Sequence, residues 1–362
     1  MAERRRYRMN ANVFRCTMTG VRTILLVILI AVTTLEIGSA RETGTAPFGQ
    51  TTRPTIANIA YATPDPPGSR GHLLDLYLPA AGVKPIPVVI WTGGSGWKGD
   101  NDKAKAGEVA AQLNRAGLAV AGVSIRSSAQ TTFPGQLYDI KAAIRWLRAN
   151  AAKYDLDPNQ IGYMGGSSGG WAAVMAAVTG DRPELEGNVV SALGVSSAIQ
   201  AAVAFSPTAD LLSMDGANYY SATWPIGRLL GCAPLTCPEK ARAASPAQYI
   251  TGKEPPIMIL HGELDQKVTH NQSELLYEGL KEACDEAVFI SLPSAGHGPS
   301  NAFLTNDALR KGATIRSVSS ADCKAKNAIS FTPGWRTVTD FFKRHLGVES
   351  PSGSLPSSPT RG

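Results

Sequence analysis

Gly165-Gly166-Ser167-Ser168-Gly169 sets a hydroxyl between glycines two positions to either side. This G-x-S-x-G spacing holds a nucleophilic serine on a turn so sharp that larger flanking side chains would strike the adjoining strand or helix. The same letters fit a second frame, Gly166 to Gly170, with Ser168 as nucleophile. Distance from the predicted strand end at Met164 selects Ser167. Ser168 then opens the following helix, where its backbone N–H faces the negative charge that develops on an attacked carbonyl.

A serine hydroxyl is a poor nucleophile at neutral pH, so it requires a histidine base and a carboxylate to orient that base. The chain has five histidines. His72 precedes the central strands, His345 lies in the last predicted helix, His270 opens a helix, and His261 ends an apolar strand as a packed residue. His297, in Ser294-Ala295-Gly296-His297-Gly298, has the loop position that a base needs. Asp265, in the turn after His261-Gly262, is the expected acid, with Glu263 and Asp210 as competitors. Serine, then aspartate, then histidine is the chain order expected where a nucleophile stands on such a strand-to-helix turn.

The tetrahedral oxyanion of acyl transfer needs two backbone donors, each worth roughly 100- to 1000-fold in rate. One is expected from Ser168. The other is expected from Gly93-Gly94-Ser95-Gly96-Trp97, at Gly94 or Ser95. Trp97, Tyr219, Tyr220 and Trp224 are candidate walls for an aromatic or short acyl group, with core packing as the alternative for each.

Elements that bring such residues to one edge are legible as short apolar runs alternating with helical periodicity, the pattern of a mainly parallel sheet with crossover helices. Strands are predicted at 73–78, 87–92, 119–125, 161–164, 201–205, 256–260 and 287–292. Between 135 and 153, Leu137, Ile140, Ala143, Ile144, Leu147 and Ala151 form one apolar stripe. Asp157-Pro158 is expected to break the chain before the next strand. Residues 207–250 interrupt the alternation and read as a lid-like insertion.

The first 40 residues have a basic start, an apolar run from Ile24 to Val32 and small residues at Gly38-Ser39-Ala40. This is the form of a secretory signal peptide cleaved near Ala40, and the run is shorter than the roughly 20 residues that span a bilayer. An uncleaved membrane anchor is the alternative. An extension over 41–70, a single domain over 71–348 and a Ser/Pro-rich disordered tail over 349–362 complete the expected organisation. The net charge of +6 falls to +2 without the leader, which removes the electrostatic case for a nucleic-acid partner. Cys232, Cys237, Cys284 and Cys323 remain, an even number suited to disulfides in a periplasmic or secreted protein, with Cys232–Cys237 and Cys284–Cys323 one of three pairings. No histidine stands at metal-ligand spacing from a cysteine pair.

Several stretches resemble the branch of α/β-hydrolases that contains bifunctional feruloyl and acetyl xylan esterases and borders on hormone-sensitive-lipase-type esterases. They are the Gly93–Trp97 loop, FPGQLYDIKAAIRWLRANA, MGGSSGG, ARAASPAQYI, HGELDQKV and AGHG, spread from about Leu73 to Leu346. The resemblance implies an α/β-hydrolase fold, with Ser167 as nucleophile, Asp265 as acid and His297 as base. It also implies hydrolysis of a small-molecule or polysaccharide-linked carboxylic ester, without a cofactor, metal or stable partner. One departure stands out. Family members commonly carry His-Gly-Gly-Gly-Trp in the oxyanion loop, whereas here Gly93 stands at the histidine and Ser95 at the middle glycine. Alternative functions are a serine peptidase of the prolyl-oligopeptidase type, which usually carries a large extra domain, and a non-catalytic ligand-binding relative, which typically has a broken triad.

Overall fold

The computed structural model describes residues 51–189 and 191–348. The predicted leader, the beginning of the 41–70 extension and the predicted tail lie outside the described residues.

Ten strands form one sheet in the order β1-β2-β4-β3-β5-β6-β7-β8-β9-β10. They are β1 Ile56–Ala60, β2 Leu73–Tyr77, β3 Ile86–Thr92, β4 Ala119–Val123, β5 Leu156–Gly166, β6 Ala201–Phe205, β7 Ile257–Gly262, β8 Ala287–Leu292, β9 Thr314–Val318 and β10 Ala325–Ser330. From β4 across to β8 every pairing is parallel, while β1, β2, β9 and β10 pair antiparallel at the two margins. Central strands read as continuous apolar runs because both faces are covered. In β3, Val88 and Ile90 enter one core layer and Val89 and Trp91 the other, all nearly inaccessible. Burying each such side chain stabilises the fold by about 1.5–3 kcal/mol.

Helices α2 (Gly135–Ala149), α3 (Ser168–Val178) and α6 (Asn271–Glu282) cover one face, with α4 (Pro225–Leu230) and α5 (Pro238–Ala243) packed beside them. Helices α1 (Ala106–Leu113) and α9 (Trp335–His345) cover the other, with the single-turn α7 (Ala302–Thr305) alongside and α8 (Asp307–Arg310) following it. The expected doubly covered parallel sheet is therefore present.

Three departures from the sequence reading have local causes. Asp157-Pro158 does not break the chain before β5. It lies in a bulge between the paired positions Leu156 and Ile161, which absorbs the proline without ending the strand. The 135–153 helix stops at Ala149 and tightens into a 3-10 turn over Ala151–Tyr154. Strands β1, β9 and β10 lie outside the predicted set: β1 and β10 are mostly exposed, and half-buried β9 buries only Ile315 and Val318, three positions apart, which breaks the alternation that marks a strand.

The 207–250 segment contains no strand among the described residues, and its helices are packed into the core through Ile226, Leu229, Leu230, Ala241 and Ala244. The Trp171 indole N–H donates to Ala244 O at 2.8 Å, fixing the segment to α3. Cys232–Cys237 closes a small loop inside it, and Cys284–Cys323 ties the end of α6 to the β9–β10 turn.

Candidate active site

The turn between β5 and α3 places Ser167 at φ 56° and ψ −120°, a backbone conformation unusual for a residue with a side chain. The flanking glycines are sterically required. A Cβ on Gly165 would lie 2.2 Å from Gly169 O, and one on Gly169 would lie 1.9 Å from Thr92 O. Ser167 is held by its N–H to Phe205 O at 2.8 Å and by Trp171 N–H donating to Ser167 O at 2.9 Å. The backbone of the nucleophile is thus fixed between the end of β6 and the first turn of α3.

His297, in the loop after β8, spans the gap between Ser167 and Asp265. Its Nε2 lies 3.1 Å from Ser167 Oγ and its Nδ1 lies 2.6 Å from Asp265 Oδ2. With the carboxylate accepting at Nδ1–H, Nε2 is left as the acceptor for the serine hydroxyl. Asp265 is buried, and its Oδ1 accepts from the N–H groups of Lys267 and Val268 at 2.8 and 3.0 Å. Burial alone would push the Asp265 carboxyl upward. Hydrogen bonds from His261, His297 and Val268 N–H outweigh it and hold the group well below the usual carboxylate range.

His261 does more than fill the core. Its Nε2 faces two acceptors, Asp265 Oδ2 at 3.2 Å and Val268 O at 3.0 Å, so Nε2 carries the hydrogen. Ser273 Oγ lies 2.6 Å from Nδ1. The four-residue spacing from His261 to Asp265 was the signal available in the sequence. The competitor acids are engaged elsewhere: Glu263 accepts from Ser291 Oγ, and Asp210 from Leu212 N–H and Ser213 Oγ.

Ser168 begins α3, so its N–H has no intrahelical acceptor. Its Oγ accepts from the N–H groups of Ser95 and Gly96 at 3.0 and 3.1 Å, and no histidine stands beside it. Both acceptor sites of that hydroxyl are filled, which argues against Ser168 as nucleophile. The same contacts divide the two candidate loop donors, since the Ser95 N–H is engaged while Gly94 packs directly on the elbow. A Cβ on Gly94 would lie 2.4 Å from Gly166 O and 2.7 Å from Ser167 Cβ.

A cavity of about 450 Å³ opens at Ser167 and His297. Trp91, Met164, Phe205, Val109 and Trp335 supply its apolar wall, and Asn101, Lys105 and Glu108 contribute polar groups. None of Trp97, Tyr219, Tyr220 or Trp224 lines it. Trp97 is buried against Trp171 with ring centroids 5.4 Å apart, Tyr219 donates to Gln266 O, Tyr220 donates to Leu212 O and Met214 O, and Trp224 stacks edge-on to Tyr219. The apolar wall belongs to one core layer and the buried residues of the 207–250 segment to the other, and these four aromatics take the core-packing alternative in this structure. No group of three or more potential metal ligands occurs among the described residues.

A mostly parallel sheet with a serine on a strand-to-helix turn, and an aspartate and histidine from the following strand ends, defines the α/β-hydrolase fold. Within that class the chain belongs to the BD-FAE family, whose model matches residues 74–280. It is 28% identical over 300 residues to esterase LipQ of Mycobacterium tuberculosis, a match that covers 81% of this chain and 65% of the relative. A truncated carbohydrate esterase from gut microbiota is similar in structure, with a TM-score of 0.67 and 30% identity over 82% of this chain and 97% of that one. A bifunctional GH43-CE protein of Bacteroides eggerthii matches with a TM-score of 0.67 and 32% identity, over 80% of this chain and 38% of that one. The first curated relatives are matched over about half to two thirds of their own length.

Proposed function

We propose that this chain is a serine carboxylesterase acting through an acyl-enzyme on Ser167. The observation that carries the reading is the position of His297, within hydrogen-bond distance of both Ser167 Oγ and Asp265 Oδ2. His297 Nε2 takes the serine proton as Oγ attacks the ester carbonyl, and Asp265 stabilises the imidazolium. The N–H groups of Gly94 and Ser168 hold the oxyanion. His297 returns the proton to the leaving alcohol, and a water activated by the same imidazole releases the acid.

The apolar wall with a polar rim suits small or aryl acyl groups, acetyl or feruloyl, carried on a small alcohol or a polysaccharide. The name of the gut carbohydrate esterase supports the second source. The two disulfides suit an oxidising compartment. No helix among the described residues is long and apolar enough to cross a membrane. With the predicted leader, we read the protein as exported, periplasmic or secreted.

The test is a panel of p-nitrophenyl esters of increasing chain length beside acetylated xylan, methyl ferulate and an aminoacyl anilide. Short or aryl esters should be turned over, and Ser167→Ala should lower kcat on the order of a millionfold. Turnover of the anilide alone would move the reading to a peptidase, and an unchanged rate in Ser167→Ala would end it. Mass spectrometry of exported protein should find an N-terminus near Arg41.

A further inference from the structure

The loop that faces Ser167 lacks the histidine expected at position 93, yet it is tightly fixed. Ser168 Oγ holds two consecutive loop amides, those of Ser95 and Gly96. From the other side, Asp102 O accepts the Gly93 N–H at 2.7 Å. Asp102 is almost fully buried, which pushes its carboxyl up to about 7, and the Ser95 hydroxyl and the Ile125 N–H beside it act against that rise. The Gly99 N–H reaches Ser95 Oγ at 3.4 Å, so Ser95 joins both ends of its own loop.

Glycine at 93 is part of this arrangement. A Cβ there would lie 2.9 Å from Asp102 O, a backbone atom that cannot turn aside. A side chain at 93 would therefore require the loop or the Asp102 backbone to shift, so glycine fits this arrangement without adjustment.

We propose that Ser168, Ser95 and Asp102 form a hydrogen-bonded clamp that sets the oxyanion loop against Ser167, with Ser168 and Asp102 as positioning residues. This rests on the esterase reading of the same site. Two anchors act on one loop. The Ser168 hydroxyl ties it to the helix that carries the second oxyanion donor, so the two donors keep a fixed spacing. Asp102 ties it to the chain entering α1. Neither side chain touches the reacting atoms in this scheme. Their contribution is preorganisation of the Gly94 N–H, which a loop joined only by glycines would not keep in place.

The experiment compares Ser168→Ala, Ser95→Ala and Asp102→Asn, with the double variant Ser168→Ala/Asp102→Asn, in the disulfide-intact protein. On p-nitrophenyl acetate each single change should lower kcat about tenfold to a hundredfold with KM within about twofold, because donors are displaced rather than removed. The double variant should lose less than the product of the singles, since both act through one loop. Amide hydrogen exchange gives a readout independent of turnover. Ser168→Ala should accelerate exchange at Ser95 and Gly96 at least tenfold while the β3 amides keep their protection. Folded Ser168→Ala with wild-type exchange at those two amides overturns the clamp whether or not the protein is an esterase. Faster exchange with unchanged kcat in a turning-over enzyme overturns its positioning role. An inactive wild type with faster exchange in the variant leaves the clamp standing and removes the esterase reading instead. Should Ser168→Ala fail to fold, Ser95→Ala on the half-buried loop carries the same comparison, and wild-type kcat together with wild-type exchange at Gly93 and Gly96 would refute the proposal.

Discussion

Gly94→Ala is the most informative single substitution at the site. The new methyl would meet Gly166 O at 2.4 Å and Ser167 Cβ at 2.7 Å. Both are about 1 Å closer than non-bonded heavy atoms settle, and neither is the free end of a flexible side chain. The loop must therefore retreat from the elbow by a similar distance, which takes the Gly94 N–H out of hydrogen-bond range of an oxyanion. Loss of one such donor costs roughly 100- to 1000-fold in kcat, whereas overpacking at one position costs about 1–3 kcal/mol of stability. The assay is steady-state hydrolysis of p-nitrophenyl acetate beside urea unfolding. Gly117→Ala is the control, since Gly117 has φ +80° and open space around its Cβ position. That change should cost about 1–2 kcal/mol through backbone strain and leave kcat intact. A folded Gly94→Ala protein with kcat within twofold of the wild type would refute the placement of the oxyanion donor.

Asp265→Asn should lower kcat about ten-thousandfold, because an amide no longer fixes the His297 tautomer, and a stopped assay on the same ester reads it. Asp285 tests electrostatics remote from the site. Burial and then the neighbouring Glu254 push its carboxyl up to about 7, so the native state holds an extra proton between pH 4 and 7 and loses stability as pH rises through that window. Asp285→Asn should accordingly be more stable than the wild type at pH 8 and gain less at pH 4, by denaturant titration; equal gains at both would contradict the assignment. Replacing Cys284 and Cys323 together by alanine should lower unfolding free energy by about 4 kcal/mol, since the bond spans 39 residues. Removing Cys232–Cys237, which spans five, should cost about 2 kcal/mol.

The central strands and the Ser167 turn were legible because each rests on a local rule: continuous apolar runs for strands covered on both faces, and glycines wherever backbone passes within 3 Å of a Cβ. His297 and Asp265 are legible from their loop positions after predicted strands together with the chain order serine, aspartate, histidine. Other features depended on contacts distant in sequence. The engagement of the Ser95 N–H is decided by Ser168, 73 positions away. His261 was read as a packed residue, which it is, but its bond to Asp265 depends on how the turn after β7 folds back. The cavity wall formed by Trp335 comes from the start of the last helix, and no periodicity indicates which mouth a distant helix will close. Polar, exposed margins such as β10 carry too little apolar patterning to distinguish a strand from a loop.

The Cys284–Cys323 bond encloses β8, His297 and the cavity residues Pro299 to Asn301 within one covalent ring. A protease that cuts the backbone inside this ring adds one water but releases no fragment. With the disulfide intact, a nicked molecule would therefore still carry its imidazole beside Ser167 for as long as the fold keeps the cut ends in register. Damage of that kind would be invisible in size under oxidising conditions and would appear as two pieces only after reduction.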